Sequence, residues 1–124
     1  MISDEKISKI CLIIAVVGAA GIGLANIYHA PEEMAIGMIG EEDLGKMVKI
    51  SGSIISFSTT NGNIFIWLDD KGGNISVVMF ERTARDQKYV YELKKGDNIT
   101  VSGKVSLYKT DLEVLAETIK RMQN

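Results

Sequence analysis

The sequence predicts a small, mainly β protein. It reads as a closed barrel of five strands with one helix between the third and fourth, preceded by an N-terminal transmembrane helix. Three observations carry this. Residues 10–28, ICLIIAVVGAAGIGLANIY, contain no charged side chain. From residue 47 onward, runs in which apolar and polar residues alternate are separated by turns rich in Gly, Asn and Asp, the signature of strands. Gly52 and Gly103 interrupt the first and fourth of these runs, where the strands of a small barrel must bend sharply.

Residues 1–9, MISDEKISK, form a tail of mixed charge. Residues 10–28 then reach about 28 Å as a helix, close to the hydrocarbon thickness of a bilayer. Nine of them are Ile, Leu or Val, each favouring insertion by about 0.3–0.6 kcal/mol. A cleaved signal peptide would need a positive start and a small-x-small site, whereas Ala30 is followed by Pro31 and has Tyr28 two positions before it. A soluble helix that is apolar all round needs a larger core than the remaining chain offers. The expected partner of this segment is therefore the lipid bilayer, with the protein a single-pass protein of the cell membrane. Lys6 and Lys9 precede the span and no Lys or Arg follows before Lys46, which favours a barrel outside the cell. A nucleic-acid role favours one inside. Residues 29–45, HAPEEMAIGMIGEEDLG, read as an acidic linker with five carboxylates and no Lys or Arg. Pro31 stops the preceding helix, and Met34, Ile36, Met38 and Ile39 are apolar enough to pack against the domain.

The barrel domain spans 46–124. MVKISGSIISF (47–57) alternates, and Gly52 suggests a bend or bulge. STTNG (58–62) is a loop whose Asn61-Gly62 is a strong turn signal. NIFIWLD (63–69) is the second strand, DKGG (70–73) a turn and NISVVMFE (74–81) the third strand. RTARDQKYVYEL (82–93) has helical spacing, since Ala84, Tyr89 or Val90, and Leu93 can share a face. KKGD (94–97) turns the chain into NITVSGKVSLY (98–108). KTD (109–111) leads to LEVLAETIKRM (112–122), the last strand.

Composition limits the chemistry. The 124 residues carry a net charge of −2, with one cysteine, Cys11, and one histidine, His29. An internal disulfide or a cysteine metal site is therefore impossible. A Ser-His-Asp triad or a multi-histidine metal centre finds no support. No enzyme activity, cofactor or metal is expected. The charge is unevenly placed: residues 46–124 hold 12 of the 14 Lys and Arg against 9 Asp and Glu.

Three strands, a helix and two strands is the order of the OB barrel. The motifs agree with it. Val48, Ile50, Gly52 and Ile54 open the pattern. Asp70 and Gly72 or Gly73 close the second strand. Ile75, Val77, Val78 and Phe80 follow, and then Gly96, Asp97, Ile99, Val101, Gly103, Val105 and Tyr108. Residues 46–120 thus resemble the nucleic-acid-binding OB domains of the tRNA-anticodon type. With the apolar segment, the chain resembles the small membrane-tethered OB proteins of methanogenic archaea. The resemblance implies single-stranded DNA or RNA as partner. The architecture is also similar to the haem chaperone of cytochrome c maturation, a single anchor followed by an OB-type barrel outside the cytoplasm. That family carries its haem histidine near the barrel's end, where this chain reads LAETIKRM. This second resemblance implies an assembly or protein-interaction role without haem.

The ligand face of such a barrel is formed by strands two and three, flanked by the loops between strands one and two and between four and five. In FIWLDDKGGNISVVMF, Ile64, Ile66 and Leu68 fall on one face of strand two, and Phe65 and Trp67 on the other. If the aliphatic face fills the barrel, the two rings stand on the ligand face, where stacking is worth about 1–3 kcal/mol per base. Lys49, Lys71, Arg82, Arg85, Lys104 and Lys109 are the expected phosphate contacts. A protein partner on the Phe65/Trp67 face is the alternative, since exposed aromatic pairs mark interaction surfaces.

Overall fold

Each alternating run forms a strand in the computed structural model, which describes residues 30–122. The strands are β1 (Met47–Thr60), β2 (Asn63–Asp69), β3 (Asn74–Met79), β4 (Asn98–Tyr108) and β5 (Asp111–Arg121). The expected transmembrane helix, residues 10–28, lies outside the described residues. Among those described, no helix is long and apolar enough to cross a membrane.

The strands pair in the order β1-β2-β3-β5-β4, and β4 pairs again with β1 to close the barrel. The β3–β5 contact is parallel and short, Ser76–Val78 against Glu113–Leu115, and the other pairings are antiparallel. Val48, Ile50 and Ile54 of β1, Ile64, Ile66 and Leu68 of β2, and Ile75, Val77 and Met79 of β3 fill the interior with Ile99, Val101 and Ile119. Burial of each aliphatic side chain contributes about 1.5–3 kcal/mol. Strand alternation then requires that Phe65 and Trp67 face outward.

β1 runs three residues beyond the expected end. The loop contracts to Asn61-Gly62, at φ 53 and 84, because Thr60 pairs with Asn63 and positive φ at both turn residues matches the strand twist. The irregularity expected at Gly52 falls instead between Ile54 and Ser56. A second register shift lies between Ser102 and Gly103. A Cβ on Gly103 would come within 2.8 Å of the Ala116 Cα, so β5 crosses there at a distance only glycine allows.

The expected helix over 82–93 is shorter than its spacing suggested. It divides into α1 (Glu81–Ala84) and a 3-10 helix, Lys88–Glu92. The break has a tertiary cause. Gln87 leaves helical geometry, at φ −135 and ψ 57, and its amide meets the free edge of β5. Its Nε2 donates to the Glu117 carbonyl at 2.7 Å, and its Oε1 accepts the Ile119 N–H at 3.2 Å. The Tyr89 hydroxyl donates to the Ile119 carbonyl. Side chains thus complete the hydrogen bonding of a strand edge that would otherwise stand open.

The segment before the barrel is built into it. Glu32–Glu33 pairs in parallel with Val48 and Lys49. Ile36 and Ile39 are buried in the core with Met34 against them, while Met38 is exposed. The Asp43 carboxylate accepts the Gly40 N–H at 2.9 Å and the Lys46 Nζ at 3.1 Å. These bonds hold its pKa below the ordinary carboxylate range, the Gly40 N–H first.

Candidate nucleic-acid interface

Cross-strand register defines the outer face. Trp67 stands between Ser56 of β1 and Ser76 of β3, and Phe65 between Ser58 and Val78. Residues opposite one another share a face, so two rings are flanked by small hydroxyl side chains on the β1 side. Phe65 is 38% exposed and Trp67 46%.

Two further apolar side chains join them. Phe80 follows Val78 by two residues and is 45% exposed, which places it beside Phe65 at the end of β3. The sequence motif had assigned it to the barrel. The period-two count from Val77 and Met79 was the signal that it faces outward. Ile55 is the extra residue of β1 at the shift between the Ile54–Leu68 and Ser56–Trp67 pairs, and it is exposed. A bulge re-aims a side chain in this way, and nothing in the sequence marks its position.

The same face continues past β3 through Glu113 and Leu115 of β5 to Ser106 and Lys104 of β4, and these four are buried. Burial pushes the Glu113 carboxyl above its ordinary value. Lys104, expected at a phosphate, is only 6% exposed. It pairs with Met47 of β1 and Leu115 of β5.

The other basic candidates divide into groups. Lys49 lies on the half of β1 that pairs with β4, opposite Ser102, and its Nζ is 3.9 Å from the Glu33 carboxylate. It is not brought to the Phe65–Trp67 face. Lys71 sits in the β2–β3 turn at φ 73, its N–H on Asp69 Oδ2 at 3.2 Å. Lys109 tops the β4–β5 turn at φ 60. Arg82 lies on α1 and Arg85 caps its C-terminal end, at the opposite end of the face. Arg85 is paired with Glu81 at 2.6 Å, and Arg82 has no partner among the described residues. The order along the face is therefore arginine, Phe80, Phe65, Trp67, lysine.

The Lys71 end is shaped by Asp70. Its Oδ2 accepts the Ile36 N–H and its Oδ1 the Gly72 N–H, both at 2.9 Å. The Ile36 bond is the main reason its pKa is lowered, with Gly72 and Gly73 adding to it. A lowered folded-state pKa contributes stability that is present above the unfolded value and lost as pH falls through the folded one. Thermal melts at falling pH should therefore show stability declining below about pH 4. Asp70→Asn should flatten this decline, leaving the part that Asp43 contributes. An unchanged acid limb in the variant would show that Asp70 is not so coupled. Beside Asp70 runs a shallow groove of about 340 Å³ lined by Ser51, Ser53, Asp69, Lys71 and Asn98.

Comparison with known proteins agrees with this geometry. Residues 48–122 match the tRNA anti-codon family, described as an OB-fold nucleic acid binding domain. The exodeoxyribonuclease 7 large subunit of Clostridium novyi (strain NT) is 36% identical over 75 residues, which are 60% of this chain and 18% of that protein. The chain therefore spans less than a fifth of that relative's length. Among solved structures, asparaginyl-tRNA synthetase from Pyrococcus horikoshii superimposes with a TM-score of 0.66 at 20% identity, over 76% of this chain and 24% of the other. The Stn1–Ten1 complex of S. pombe gives 0.58 at 20% identity, over 63% and 59%. These two likenesses concern the fold.

Proposed function

Because this chain belongs to the tRNA-anticodon family of OB-fold nucleic acid binding domains, we propose that its barrel binds single-stranded DNA or RNA, and acts by binding rather than by catalysis. The observation that carries this reading is the half-exposed pair Phe65 and Trp67, in register with Ser56 and Ser58 on the outer face of β2. Rings so placed stack bases of any identity, while Arg82 at one end and Lys71 and Lys109 at the other attract the phosphates. The likeness to a deoxyribonuclease subunit supports DNA as one ligand. The uncharged run 10–28 supports tethering of the barrel to a bilayer.

Trp67 is the chain's only tryptophan and reports on its own site. Titration of the full-length chain with single-stranded oligonucleotides should quench its fluorescence, and the quenching should weaken as salt rises, through counterion release. A folded chain that shows no change at low salt would remove nucleic acid as the ligand. It would leave the Ile55–Trp67–Phe65–Phe80 surface to a protein partner.

A further inference from the structure

We propose that the nucleic-acid path does not end at Phe80 but turns over the β1–β2 turn onto the α1 corner, with Tyr91 as a further stacking ring and Arg82 as its phosphate contact. This rests on the reading of the Phe65–Trp67 face as a nucleic-acid site.

Contacts around Glu81 bring the parts together. Phe80 precedes it and is half-exposed. The Glu81 N–H donates to Asn63 Oδ1 at 2.9 Å. A Cβ on Gly62 would lie 2.6 Å from the Glu81 Cγ, so the tip of the β1–β2 turn rests on that side chain. The Tyr91 hydroxyl donates to the Gly62 carbonyl at 2.7 Å, yet Tyr91 stays 38% exposed. A ring pinned by its hydroxyl with a surface left to solvent loses little freedom when a base stacks on it.

Charge permits this direction. At the α1 corner Glu81 is paired with Arg85, Asp86 also acts on Arg85 and Glu92 follows Tyr91, while Arg82 has no partner among the described residues. At the far end, a strand leaving Trp67 meets Asp69 and Asp70 with Lys71, and beyond them Glu33 beside Lys49. There the carboxylates offset part of the attraction that Lys71 and Lys109 exert on phosphates. Aromatic rings interleaved with unpaired basic groups are the pattern that single strands follow.

The test uses the full-length chain and single-stranded oligothymidylates of about 4 and about 12 nucleotides, the lower and upper parts of the site sizes of OB folds. Binding is read by Trp67 quenching and by anisotropy of the labelled oligomer. Tyr91→Leu should weaken the longer oligomer by about 5- to 150-fold, the equivalent of one stacked base, and leave the shorter unchanged. Tyr91→Phe keeps the ring and loses only its hydroxyl anchor, so it should weaken the longer oligomer far less than Tyr91→Leu does. Arg82→Gln should weaken the longer oligomer and lower its salt slope by about 0.7, the value for one phosphate contact on a single strand. The path is wrong if neither Tyr91→Leu nor Arg82→Gln affects the longer oligomer. It is equally wrong if Tyr91→Leu weakens both lengths alike, because Tyr91 then serves only to hold the β1–β2 turn. A wild-type chain quenched by neither oligomer overturns the underlying reading and this path with it.

Discussion

Replacing Ile36 and Ile39 together by alanine is expected to cost the barrel roughly 4 kcal/mol or more, since each buried Ile→Ala change costs about 2–5 kcal/mol. Both side chains lie in the core, although they precede β1. The total stability of a domain this size is about 5–15 kcal/mol, so the double variant should melt far below the wild type or fail to fold. Chemical denaturation of the full-length chain, with the two single variants alongside, measures this. A double variant within about 1 kcal/mol of the wild type, the range of surface substitutions, would show that the barrel stands without the preceding segment. The same contacts explain why the Asp70 turn depends on the segment: the Ile36 N–H that fixes Asp70 is supplied by a residue buried in the core.

Phe65→Ala with Trp67→Ala should do the opposite, leaving the fold in place and removing most of the binding. Each ring stacking on a base is worth about 1–3 kcal/mol, so the double variant should lose about 2–6 kcal/mol of affinity if the two act independently. Fold should survive because both residues are well exposed on the outer face. Labelled-oligomer anisotropy gives the affinity, and a thermal melt gives the stability. If the double variant unfolds, the rings belong to the structure. If it folds and binds as before, the ligand lies on another face. Phe80→Ala is the natural companion, because Phe80 occupies the same face although the sequence motif had assigned it to the barrel.

Much of the barrel was legible because strands leave a local record. The period of two in NIFIWLD sorted Ile64, Ile66 and Leu68 inward and Phe65 and Trp67 outward without any knowledge of their partners. Asn61-Gly62 marked its turn for the same reason, since positive φ is a property of the residues themselves. Gln87 shows the limit. Its region has helical spacing, but the unpaired edge of β5, 30 residues away in sequence from Gln87, draws its amide out of the helix. Lys104 shows another. Alternation told that it faces outward, and only its low exposure in the folded barrel revealed that it is buried there.

The sequence by itself determined the five strands and their inward and outward faces, because these follow from residue type and period. Only the tertiary structure decided that Ile36 and Ile39 belong to the core, that Ile55 joins the two rings, and that Lys49 and Lys104 do not reach them. Those outcomes depend on which strands meet and in what register. Register is set by the packing of the whole barrel, and no local pattern carries it.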